Sequence, residues 1–221
     1  SLMISIGHRT GLFDAMRNLE GSTSPQIAEA AGLDERYVRE WLGAMVTGGI
    51  VEMDPATTRF WLPEEHSAWL TRAAGANNMA LGMQFVGVLG GVADDVVECF
   101  RNGGGVPYSR YPRFHAVMAE ESSQTVLGVL DTHVLPMVPG LRERLESGIS
   151  VLDLGCGRGR VLAYLAEQFP NSRFVGMDLS QEAIDHATAH AAERGLRNVK
   201  FIVKDLRDFD QTPTIEAFDL V

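Results

Sequence analysis

The chain has 221 residues, 45% of them apolar, enough to fill one large core or two small ones and too many for a disordered or fibrous protein. Its 19 Lys and Arg stand against 29 Asp and Glu, and the net charge of -10 disfavours nucleic acid and anionic membranes as partners. The two cysteines, Cys99 and Cys156, fit neither a zinc site nor a disulfide framework and point to a reducing, cytoplasmic compartment.

His8, Arg9 and Asp14 fall where a signal peptide would stay apolar. Leu2, Met3, Ile4 and Ile6 already follow an apolar pattern, so the chain is expected to start partway along a helix, with the native N-terminus missing. Ser24 and Pro25 predict a helix start, with Ser24 as N-cap and Pro25 as first helical residue, closed by Gly32. Asp34 is predicted to cap the next helix, in which Val38, Trp41, Leu42 and Met45 form one apolar face and which stops at Gly48 and Gly49. Two short apolar runs, 50–53 and 60–62, flank turn residues 54–58 and predict a hairpin.

Three helices followed by a hairpin are the order of a winged helix-turn-helix. DNA reading would place the 34–47 helix in the major groove. Residues 1–70, however, hold five Arg and no Lys against ten Asp and Glu, and Arg36 and Arg39 alternate with Glu35 and Glu40. Such a surface lacks the phosphate contacts that DNA affinity needs, so dimerisation is the preferred role.

Residues 73–93 carry no charge and reach bilayer-spanning length. Five glycines with Asn77, Asn78 and Gln84 hold the hydropathy down, so a buried helix is expected rather than a membrane span. Within it, Gly87 and Gly91 lie one turn apart, a spacing that admits a second helix. Further on, 102–107 contain three glycines but no following Gly-Lys-Ser/Thr, which predicts a flexible connection rather than a phosphate loop. Tyr108, Tyr111, Phe114 and His115 then cluster beside Arg110 and Arg113. They either cap a helix start or line a small-molecule pocket.

From Ser150 the pattern becomes βαβαβ. A strand over 150–154 leads into the glycine-rich turn 155–159, and a helix over 160–169 turns Val161, Leu162, Leu165 and Phe169 inward. A second strand over 173–177 ends at Asp178. Ser180 caps a helix closed by Gly195, and a third strand over 199–203 ends at Lys204 and Asp205. Parallel strands with acidic groups at their carboxyl ends describe a Rossmann-like α/β sheet. A dinucleotide turn would need a third glycine where Arg160 stands. Asp153 suits a ligand with a cationic amino group, Asp178 can accept from both ribose hydroxyls, and Asp205 can accept from an exocyclic adenine amine.

At these residues the chain resembles the class I S-adenosylmethionine-dependent methyltransferases, in VLDLGCGRG over 151–159, GMDLS over 176–180 and KDLRDF over 204–209. The resemblance implies S-adenosyl-L-methionine as cofactor. Asp153, Gly155, Cys156, Gly157 and Gly159 would hold its methionine part, Asp178 the ribose, and Asp205 with the Leu206 backbone the adenine, with Met177 and Leu179 packed on the ring. A subgroup acting on small molecules also carries a winged-helix dimerisation domain before this fold, and 103–122 look like its linker.

The resulting scheme has a winged-helix domain over 1–72, a helical region on the substrate side over 73–147 and the start of the Rossmann-like domain over 148–221. Since that domain normally has seven strands and the sequence stops at the start of the fourth, the later strands are expected to be absent. The expected function is methyl transfer to a small-molecule acceptor by a homodimer, with a cofactor-sensing transcriptional regulator as alternative and a catalytically dead scaffold as third reading. Tyr108, Tyr111 and Phe114 are candidates for the acceptor pocket, and His115 and His133 are weak candidates for a base. No metal is expected, because His186 and His190 lack a third ligand and read as a solvated helix face. Cys156 reads as a small packing residue rather than a nucleophile.

Overall fold

Gly11, in the left-handed region at φ 74°, divides the first apolar stretch into α1 (Leu2–Thr10) and α2 (Leu12–Arg17). The computed structural model describes residues 1–207 and 218–221, in two compact units, Ser1–Pro112 and Arg113–Val221.

In the first unit, α3 (Ser24–Ala31) begins one residue earlier than expected. Thr23 is its N-cap and donates its backbone N–H to Gln26 Oε1 at 3.0 Å, while Ser24 donates its hydroxyl to Glu35 Oε1 at 2.6 Å. The following helix α4 (Glu35–Thr47) buries Val38, Trp41, Leu42 and Met45, the face expected from their spacing. Its cap is Asp34, whose carboxylate accepts from Arg36 N at 3.1 Å. Asp34→Ala leaves that donor without its side-chain acceptor, and a loss of about 1 kcal/mol in first-unit stability is expected by denaturant titration of tryptophan fluorescence.

The wing is the antiparallel pair β1 (Glu52–Asp54) and β2 (Arg59–Trp61), extended by a bridge between Ser22 and Phe60. Phe13, Met16, Ile27, Leu42 and Val51 fill the core, and Trp41 packs edge-on against Phe13 while donating Nε1–H to the Met3 carbonyl at 2.8 Å.

α5 (Glu64–Leu70) leads into the segment expected to be one buried helix, which the structure breaks. A 3-10 turn over Arg72–Asn77 contains Gly75 at φ 57°, followed by α6 (Met79–Gly82), α7 (Gln84–Gly90) and α8 (Ala93–Asn102). Burial is partial: Leu81 and Val88 are buried, whereas Val86 and Leu89 are exposed. Nor do Gly87 and Gly91 receive a helix. A Cβ at Gly87 would meet nothing within 4 Å, and one at Gly91 would meet Pro112 Cγ at 3.1 Å. Among the described residues no single helix is long and apolar enough to cross a membrane. The pair 79–90 and 93–102 passes on length and composition, but is bent by 53°.

The second unit opens with α9 (Phe114–Thr125), a run of short 3-10 and π turns over 127–137, and α10 (Leu141–Ser147). Three parallel strands follow, β3 (Ser150–Leu154), β4 (Arg173–Asp178) and β5 (Val199–Val203), connected by α11 (Arg160–Gln168) and α12 (Gln181–Glu193). Pairing runs Asp153 to Gly176 and Gly176 to Phe201. On the other side of β3, Leu220 forms a parallel bridge with Val151, so the order is Leu220, β3, β4, β5. The connection therefore reverses direction beside β3, and a sheet of this kind takes ligands at the carboxyl ends of the strands around such a point. Val151, Leu162, Leu165, Phe169 and Phe174 pack the core beneath the helices.

Candidate functional site

The turn 155–159 leaves the carboxyl end of β3 and is drawn across the end of β4. The N–H groups of Gly155 and Cys156 both donate to the Met177 carbonyl, at 2.7 and 3.0 Å. Asp178 anchors the same turn: Oδ2 accepts from Gly157 N at 2.9 Å and Oδ1 from Ser180 N at 2.8 Å. A carboxylate has about four lone-pair sites, so Asp178 can accept from hydroxyls while holding both amides.

Gly159 and Gly176 let the turn sit this close. A Cβ at Gly159, which has φ 62°, would lie 2.3 Å from Phe201 Cε1 and 3.1 Å from Ala187 Cβ. A Cβ at Gly176, in the middle of β4, would lie 2.7 Å from Cys156 Sγ and 2.8 Å from Phe201 Cδ1. Sequence reasoning assigned no role to Gly176, although a glycine inside a strand marks a close approach. Burial, reinforced by Asp153 and Asp178, pushes the Cys156 thiol up to about 12. It therefore stays protonated at neutral pH, consistent with a packing residue.

Asp153 is half-buried, and its carboxylate makes no hydrogen bond or ion pair among the described residues. Burial raises its pKa above the ordinary carboxylate value, and repulsion from Asp178 adds to this. Two carboxylates, one of them without a hydrogen bond, thus face a turn whose Gly155 and Gly157 positions would set a Cβ in open space. A cation is the ligand that relieves this arrangement.

At the end of β5, Asp205 is gripped by Arg207 through the backbone N–H, Nε and Nη2, at 3.0, 3.0 and 2.6 Å to the nearest oxygens. Those hydrogen bonds hold its carboxyl well below the usual range, at about 2. Leu206 and Leu179 are exposed, at 37% and 51%. The last two residues of the 204–209 motif, Asp208 and Phe209, lie outside the described residues.

The remaining candidates lie on other elements. Tyr108 and Tyr111 end the first unit, whereas Phe114 and His115 open α9 of the second, with rings edge-on at 5.3 Å. His133 is exposed in the π turn, its Nδ1 2.8 Å from Thr132 Oγ1. His186 and His190 are both half-buried, which corrects the expected solvated face, and burial followed by nearby cations, Arg158 and Arg160 for His186 and Arg160 and Arg194 for His190, lowers their pKa values. Among the described residues no group of three or more His, Cys, Asp or Glu could hold a metal ion. A cavity of about 590 Å³ lies along the sheet from Pro170 to Ile202 but touches none of Asp153, Asp178 or Asp205.

Comparison with known proteins agrees with this geometry. Residues 1–72 match the family described as Rv2258c-like winged HTH domain, and residues 145–221 match a methyltransferase domain. The 2-heptyl-1-hydroxyquinolin-4(1H)-one methyltransferase of Mycobacteroides abscessus is 48% identical over 74 residues, 32% of each chain. The mitomycin 7-O-methyltransferase MmcR superposes with a TM-score of 0.63 at 17% identity, over 98% of this chain and 64% of that one. NcsB1, an O-methyltransferase from neocarzinostatin biosynthesis solved with S-adenosyl-L-homocysteine and 1,4-dihydroxy-2-naphthoic acid, gives 0.54 at 16%, over 93% and 64%. The chain thus spans about a third of the length of that curated relative and under two thirds of these structures. Glycine turn, acidic strand ends and sheet order together with these matches identify a winged helix-turn-helix domain of the Rv2258c-like type followed by a Rossmann-like methyltransferase domain.

Proposed function

We propose that the protein is an S-adenosylmethionine-dependent methyltransferase acting on a small-molecule acceptor. The observation that carries this reading is Asp153, a half-buried carboxylate without a hydrogen bond, set beside Asp178 at the glycine turn. The cofactor brings a cationic amino group and supplies an electrophilic methyl on a sulfonium. Asp153 and the backbone of Gly155, Cys156, Gly157 and Gly159 would hold the methionine part. Asp178 would take the ribose hydroxyls, and Asp205 and the Leu206 backbone the adenine, with Met177 and Leu179 against the ring. Methyl transfer needs the acceptor aligned with the methyl group and water kept out. Tyr108, Tyr111 and Phe114 are the proposed acceptor contacts, and His115 or His133 the base for an oxygen acceptor. In domain terms, 1–72 would dimerise the protein, 73–147 would form the acceptor side and 148–221 would carry the cofactor.

A homodimer through 1–72 is supported by the exposed apolar side chains of that region: Leu2 is 56%, Tyr37 72% and Trp69 50% exposed. A regulator reading lacks such support, since Arg39 of α4 pairs with Glu35 at 3.8 Å instead of standing free for phosphate. Two unpaired cysteines agree with a cytoplasmic setting.

Calorimetric titration with S-adenosylhomocysteine, with NAD as comparison, tests the cofactor assignment. Saturable heat with the former and none with NAD is expected. The reverse preference, or no binding to either, would overturn the assignment.

A further inference from the structure

Arg158 in the glycine turn and Arg160, the first residue of α11, lie close enough to α12 to act on its histidines. Arg158 forms an ion pair with Glu182, yet its Nε is sealed from solvent without a hydrogen-bond partner. The Nε of Arg160 and Nδ1 of His186 are in the same state, and Arg160 makes no ion pair among the described residues. Buried donors left unpaired cost about 1–3 kcal/mol each, so the two guanidinium Nε groups, beside an imidazole nitrogen that donates once protonated, call for a ligand that accepts.

Charge points the same way. Arg158 and Arg160 both act on His186, and Arg160 with Arg194 on His190. The carboxylates facing them are few: Glu182, 55% exposed and paired with Arg158; Glu193, near His190; and Glu167, which is taken by Arg194. Burial first, and then these cations, hold both imidazoles below their ordinary pKa, so they are neutral at neutral pH and can take up a proton when an anion arrives.

We propose that Arg158, Arg160, His186 and His190 form a binding site for a phosphate dianion, free or as the monoester of a small molecule, where the glycine turn and the start of α11 meet α12. Two guanidinium groups supply the planar donor pairs that phosphate oxygens match, and the imidazoles complete the set. The readout is taken on His186 and His190, which the cofactor assignment does not use, so failure here and failure of that assignment are distinguishable.

NMR titration of the His186 and His190 imidazoles tests it on the whole chain, in inorganic phosphate, in glycerol phosphate and in chloride at matched ionic strength. A saturable rise of about half a pH unit or more in both pKa values over chloride is expected, equivalent to about threefold tighter binding to the protonated form. The folded Arg160→Gln variant, checked by circular dichroism, should lose it. A response to both phosphates assigns recognition to the head group, and a response to inorganic phosphate alone makes the free ion the ligand; both support the site. No saturable rise in the unaltered chain with either phosphate, or one undiminished in folded Arg160→Gln, overturns it.

Discussion

Asp153→Asn is expected to make the ligand-free protein more stable while removing its grip on the cofactor. The side chain keeps its shape and loses its charge. In the folded chain the Asp153 pKa is raised above the ordinary carboxylate value, chiefly by burial and then by Asp178. A raised carboxylate favours folding below the unfolded pKa, and that contribution is lost as pH climbs through the folded value. At neutral pH the full penalty is present, and Asn avoids it. A gain of about 0.5–2 kcal/mol is expected, the usual range for a single stabilising substitution. Thermal melts should separate variant and parent at neutral pH and converge in acid.

The same substitution takes away the carboxylate proposed for the cationic amino group. A charged hydrogen bond contributes about 1.5–3 kcal/mol, so S-adenosylhomocysteine should bind about ten- to a hundredfold more weakly. In the parent protein, affinity should rise with pH through the Asp153 titration, because the ligand selects the ionised form. Unchanged affinity in the variant would remove Asp153 from the site even if the stability gain appeared.

Gly159→Ala should damage the second unit for two additive reasons. The residue sits at φ 62°, where an L side chain costs about 1–2 kcal/mol, and its Cβ would overlap the Phe201 ring 2.3 Å away, an overpacking cost of about 1–3 kcal/mol. A total of about 2–5 kcal/mol lowers Tm by roughly 5–15 °C. Phe201→Leu in the same chain should recover the packing part and leave the backbone part. A Gly159→Ala melt that coincides with the parent would show that the turn does not lean on β5.

Periodicity and capping made much of this architecture legible. The face Val38, Trp41, Leu42 and Met45, the caps Asp34 and Ser180, and the βαβαβ order followed from side-chain chemistry that acts locally. Segment 73–93 was misread because freedom from charge says nothing of where glycines will turn. Gly75 bends the chain through its φ, and Gly91 faces Pro112 rather than a helix. At the site, residue types were visible at 153, 178 and 205, but their partners were not. Asp205 is clasped by Arg207 only two residues on, a local contact, but that Asp178 holds Gly157 and that Gly176 makes room for Cys156 depend on where separate strands end relative to one another. His186 and His190 were misjudged for the same reason, since the arginines beside them come from another element.

The pairing beside β3 bears on how the second unit forms. Asp219 Oδ2 accepts from both N and Oγ of Ser150 at 2.8 Å, across 69 positions of sequence, and Leu152 N donates to Leu220 O at 2.9 Å. β3, the first strand of this sheet to leave the ribosome, therefore waits for the last described residues before both its edges are paired. Contacts so distant in the chain slow folding, because loop closure must precede any gain from pairing. Until then β3 presents an open backbone edge, the kind of surface that invites association between nascent chains.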